Sequence, residues 1–150
     1  ARKARALWIS LHQLGAIDNP SEQALEAFAA RQLKVAKLQW ADQGQCYKLI
    51  EALKAMAERA GWRQDLSGVS PGAHLLILKR RLVEALCGKL WQAGLIPLDW
   101  DVERAAFELG GIEDVHLVAA NVEELDLVAR TFAAKLREPI APVTAEELGR

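Results

Sequence analysis

Apolar positions recur at helical spacing along nearly the whole chain. Leu7, Leu11 and Leu14 repeat at four and three with Trp8 beside them, and Gly15 follows as a stop. Asn19-Pro20-Ser21-Glu22 reads as the next start: Asn19 as N-cap, Pro20 in the first helical position, Glu22 three on from the cap. Ala24, Leu25 and Phe28 form that helix's apolar stripe. Residues 33–41 read as a connection pinned by Val35, Leu38 and Trp40. Asp42 with Gln45 makes a capping box opening the clearest helix, whose inner side is Cys46, Leu49, Ile50, Leu53, Met56 and Ala57. Gly61 ends it. Residues 63–70 are rich in turn formers and read as a linker.

The remainder repeats the same grammar. Ser70-Pro71 is expected to cap a long helix reaching Ala93, with Gly94 as its stop. Asp99 is expected to cap a short helix through Leu109, ended by Gly110-Gly111. Asn121 with Glu124 caps a last helix to about Arg137, with the stripe Leu125, Val128, Phe132 and Leu136. Pro139 and Pro142 close the pattern, and Thr144 to Glu147 resembles a further capping box at the chain end.

Sliding the chain along itself by 79 positions aligns these signals without a gap. Leu11-His-Gln-Leu-Gly-Ala-Ile17 falls on Leu90-Trp-Gln-Ala-Gly-Leu-Ile96, and Ala27-Phe28 on Ala106-Phe107. The caps Asp42 and Asn121 coincide, as do Gln45 and Glu124. About eleven identities occur in roughly 55 positions, and shared stops and caps fix boundaries rather than composition. The expected fold is all-α: two similar three-helix modules, related by internal duplication and packed together because one such unit buries too little alone. The expected organisation is a module at 1–62, a linker at 63–70, a second module at 71–138 and a tail at 139–150.

Composition narrows the class. The 150 residues are 51% apolar and 26% charged with a net charge of −1, which suits a globular domain and argues against a strongly basic nucleic-acid binder. No apolar run approaches the roughly 18–20 residues of a membrane span. Two isolated thiols, Cys46 and Cys87, suit a reducing, cytoplasmic setting. The chain starts at Ala1 without Met, which reads as a processed chain or a fragment with an upstream segment missing.

Candidate chemistry is sparse. His12, His74 and His116 have no His or Cys partners at metal spacing, and no phosphate loop or nucleophile motif occurs. Carboxylate pairs such as Asp99/Asp101 and Glu123/Glu124 sit near helix starts, where the macrodipole accounts for them. No catalytic, cofactor or metal residue is expected. The five Trp flank helix ends or lie on stripes; packing is their expected use, with one or two at a partner surface. The segments at 7–31 and 86–109 loosely resemble helix-turn-helix units, but Glu22, Glu26, Asp101, Glu103 and Glu108 would repel phosphate. Two basic clusters remain as partner- or DNA-binding candidates: Arg2, Lys3 and Arg5, and Lys79, Arg80 and Arg81, with Arg2 falling on Arg81 under the same shift.

One stretch resembles a known family. Arg5-Ala-Leu-Trp-Ile-Ser-Leu-His-Gln-Leu-Gly-Ala-Ile, Ser21-Glu-x-Ala-Leu-x-Ala-Phe, Arg31-Gln32, Leu38-Gln39-Trp40 and Ile50-Glu-Ala-Leu-Lys54 are similar to the GemA regulatory proteins of Mu-like phages and prophages, over about residues 3–62. Family members often have Gly after Arg-Gln, where this chain has Leu33-Lys34. The resemblance implies a cytoplasmic, phage-encoded regulator of host gene expression or DNA supercoiling, with host gyrase or a DNA-associated complex as partner. The leading expectation is therefore a non-enzymatic regulator that binds a host protein or a DNA-associated complex. Direct DNA-backbone binding through the two basic clusters is one alternative, and a structural dimerisation module forming a homo-oligomer is the other.

Overall fold

Side-chain caps decide where the helices begin. In a computed structural model, which describes residues 2–139, the chain forms six helices, with no strand among the described residues. These are α1 (Arg2–Gln13), α2 (Glu22–Leu33), α3 (Gln43–Arg59), α4 (His74–Gln92), α5 (Val102–Gly110) and α6 (Val122–Arg137), so the all-α expectation holds. Two capping boxes form as the sequence predicts. Asp42 accepts from the Gln45 N–H while Gln45 accepts from Asp42, and Asn121 and Glu124 do the same ahead of α6. Each such cap contributes about 1 kcal/mol.

Three expected starts move. Ser21, not Asn19, caps α2, accepting from the Ala24 N–H at 3.1 Å; Asn19 instead folds back to accept from the Ser21 N–H. Asp101, not Asp99, caps α5, accepting from Arg104. Ser70 makes no side-chain cap: Pro71–Ala73 is a separate 3₁₀ turn, and α4 starts at His74. Gly110 still belongs to α5, so Gly111 alone takes the left-handed stop. Thr144 to Glu147 and nearly all of the expected tail lie outside the described residues.

The stops follow one pattern. Gly15 (φ 77°) and Gly94 (φ 70°) are left-handed, and each lets the next residue donate back five positions, from Ala16 to Leu11 and from Leu95 to Leu90. α1 and α4 end 79 residues apart, at Gln13 and Gln92, and α3 and α6 begin 79 apart, at Gln43 and Val122. α2 and α5 depart from that spacing: they hold 12 and 9 residues.

The packing is ordered alike in each half. α1 and α2 lie against α3; α4 and α5 lie against α6; the α4–α6 contact is the most extensive. α1 also touches α6, so the first and last helices meet. A single apolar core runs through all six helices, from Ala4 to Phe132, and includes the fully buried Leu11, Leu25, Leu53, Leu86 and Phe132. Each large side chain there contributes about 1.5–3 kcal/mol over an exposed one.

Residues 63–70 connect α3 to α4. Trp62, just before them, is buried and donates its indole N–H to the Leu78 carbonyl at 2.9 Å. Glu58 accepts from the Gln64 N–H, and the Arg81 guanidinium donates to the Arg63 and Asp65 carbonyls. The segment is therefore fastened to both helices that flank it.

Candidate macromolecular interface

The α1 cluster is exposed because the stripe beneath it is not. Ala4, Leu7, Trp8 and Leu11 turn into the core, which leaves Arg2, Lys3 and Arg5 outside. Arg5 pairs with Glu22 across to α2, with both side chains at least half exposed, so the pair adds little stability. Arg2 and Lys3 form no ion pair among the described residues.

The α4 cluster is used differently. Successive residues on an α-helix point about 100° apart, and these three cations serve three separate places. Lys79 pairs with Asp126 of α6 at 2.7 Å. Arg80 donates to the Leu117 and Val118 carbonyls at 3.1 and 2.9 Å, holding the turn ahead of α6. Arg81 holds the 63–65 backbone, as above. A groove between α1, α4 and α6 is lined by Ile9, Ser10, Gln13, Lys79, Asp126 and Arg130, and of the six candidate cations only Lys79 enters it.

A third basic region escaped the sequence reading. Between residues 27 and 50 the chain has Arg31, Lys34, Lys37 and Lys48 against the single acid Asp42. These four cations occupy the end of α2, the connection and the second turn of α3, and all are exposed. Trp40 lies among them in sequence. Leu38 is buried and does pin the connection, but Trp40 does not: it is 63% exposed, with the Lys37 ammonium 5.2 Å from its ring centre. Tyr47, on α3, is 66% exposed. The available signal was positional, since Tyr47 lies off the apolar stripe of α3.

The other tryptophans set a contrast. Trp8, Trp62 and Trp91 are buried or half-buried, and each donates its indole N–H to a backbone carbonyl, of Asn19, Leu78 and Trp100 respectively. Trp100 is half-buried with Arg104 over its ring. Among the described residues, the Trp40 indole meets no protein acceptor.

Cys46 and Cys87 are free thiols; burial, with Asp101 and Glu103 adding to it, pushes the Cys87 thiol up to about 11, which keeps it protonated and unreactive. His12 is half-buried at the end of α1. Burial holds its imidazole below the usual 6.5, Arg137 adds to this, and Asp18 opposes it. A histidine lowered on folding gives stability that is complete above its unfolded value and declines as pH falls below it. Melting temperature is expected to drop below about pH 6.5, and to drop less in His12→Gln, as thermal unfolding across that range will measure.

Among the described residues, no group of three or more His, Cys, Asp or Glu side chains could hold a metal ion, and no helix is long and apolar enough to cross a membrane. No curated protein and no solved structure matches the chain. The stretch with a match is the part that contains α1, α2, the basic connection and α3: residues 1–59 match the family model of the bacteriophage Mu GemA protein.

Proposed function

We propose that the protein is a regulatory factor of a Mu-like phage or prophage. It acts without chemistry of its own, by binding a host protein or DNA-associated complex in the host cytoplasm and so modulating gene expression or DNA supercoiling. The observation that carries this reading is the GemA match over residues 1–59. Host gyrase is the first partner to test, because the GemA resemblance points to it. The α1 cluster supports a polar contact at that end, since Arg2 and Lys3 are exposed and unpaired among the described residues. The 79-residue spacing of the Gly15 and Gly94 stops and of the two capping boxes supports descent of the two halves from one duplicated unit.

Direct DNA-backbone binding by both clusters is the second reading. It loses ground where Lys79, Arg80 and Arg81 already serve an ion pair and four backbone carbonyls. Alanine at those three positions is expected to lower the melting temperature, so the α1 cluster is the cleaner probe. The test measures binding to purified gyrase, and to duplex DNA alone, for the parent and for Arg2→Ala/Lys3→Ala/Arg5→Ala. Gyrase binding that survives moderate salt and weakens in the triple variant is expected. Duplex binding that falls steeply with salt, with no gyrase binding, would favour the second reading instead.

A further inference from the structure

We propose that the corner formed by the end of α2, the 34–42 connection and the start of α3 is a binding site for single-stranded nucleic acid. In it Trp40 and Tyr47 stack on bases, and Arg31, Lys34, Lys37 and Lys48 hold the phosphates. The proposal stands on this corner alone and holds whether or not gyrase is a partner.

Three independent observations meet there. The first is charge. Four cations stand against Asp42 alone, and that carboxylate is occupied in the α3 capping box. None of the four forms an ion pair among the described residues, a state they share with Arg2 and Lys3, but here no second acid stands nearby in the sequence.

The second is the aromatic pair. An exposed Trp and an exposed Tyr keep large apolar faces in water, at a cost the other tryptophans avoid by packing. A flat ring in solvent beside ammonium groups is what a nucleic-acid base and its phosphate require together. Lys37 lies over one face of the Trp40 ring, which places a cation beside it and leaves the opposite face for a base. Stacking rings need an unpaired base, which a duplex keeps in its own stack, so the ligand is single-stranded.

The third is backbone strain. Lys34 ends α2 in the left-handed conformation (φ 57°), donating its N–H to the Ala30 carbonyl. Gly15, Gly61 and Gly94 take the corresponding conformation at other helix ends without a side-chain penalty. A lysine there gives up stability and gains a cation at the corner, the kind of local cost that gathers at functional positions.

The test uses the full chain and a fluorescent oligo-dT of about 15 nucleotides, a length within the usual range for such sites. A duplex of the same length and polyglutamate as competitor run beside it. Anisotropy at low salt is expected to show oligo-dT bound more tightly than duplex. Trp40→Ala is expected to weaken binding about tenfold, and Trp40→Phe to restore part of it. Lys34→Gly is expected to raise the melting temperature and yet weaken binding, a pairing that a purely structural role would not produce. Lys34→Ala/Lys37→Ala/Lys48→Ala is expected to reduce the slope of log affinity against log salt by about 2. No oligo-dT binding at low salt overturns the proposal. So does binding that is unchanged by Trp40→Ala and Lys34→Gly. Equal displacement by polyglutamate also overturns it, and assigns the corner to an acidic protein.

Discussion

Phe132→Ala is expected to destabilise the protein by about 3–5 kcal/mol, the range for removing a fully enclosed aromatic ring. Domains of this kind are stable by about 5–15 kcal/mol, so the loss takes a large part of the total. Phe132 is completely buried on α6, the helix that contacts α4, α5 and α1. Because one core runs from Ala4 to Phe132, the weakening should reach the N-terminal helices as well. Urea unfolding followed by circular dichroism and by tryptophan fluorescence should show one coincident transition, shifted to lower urea. A split transition, with α1 to α3 outlasting the rest, would mean that the halves unfold separately and would contradict a shared core.

Trp62→Ala carries the second large effect, again about 3–5 kcal/mol. Trp62 is buried where α3 hands over to α4, and its N–H reaches the Leu78 carbonyl. Trp62→Phe is the milder variant. It keeps an aromatic ring in the site and removes the donor, and should cost only about 0.5–1.5 kcal/mol. A Phe variant as damaged as the Ala variant would show that the complete indole, its volume and its donor together, and not merely an aromatic ring, holds that junction. Equilibrium unfolding of both variants measures the difference.

Local signals were the readable ones. A capping box needs two residues three apart, so Asp42/Gln45 and Asn121/Glu124 were visible in the sequence and form as expected. Where two capping residues stand close together, local chemistry does not choose between them. Asn19 and Ser21, and Asp99 and Asp101, are equally good N-cap types, and in each case the second is used. Asn19 is drawn instead into a turn with Ser21, and residues 97–100 form a turn of their own, in which Trp100 donates to Pro97.

The candidate site was legible only in part, for a different reason. Lys79, Arg80 and Arg81 look like a cluster in sequence, but the acceptors that claim Arg80 lie 37 and 38 residues away, beyond any local pattern. Trp40 reads as an anchor because tryptophans usually pack. Nothing in its neighbours says that Leu38, with Leu33 and Ala41 beside it, is what packs beneath the connection. The basic corner was present in the composition of residues 27–50, but the chain-wide charge of −1 hid it.

The meeting of α1 with α6 has a consequence for how the molecule assembles. Most helix contacts here stay within one half of the chain, α1 to α3 or α4 to α6, and such contacts form sooner than longer-range ones. The Arg137 guanidinium, by contrast, donates to the His12 carbonyl across 125 positions. That closure must wait for a long loop to come together, which slows the final step relative to a bundle built from local contacts alone. During synthesis α1 leaves the ribosome well before α6, and the surface it will offer to α6 stays in water until that helix follows.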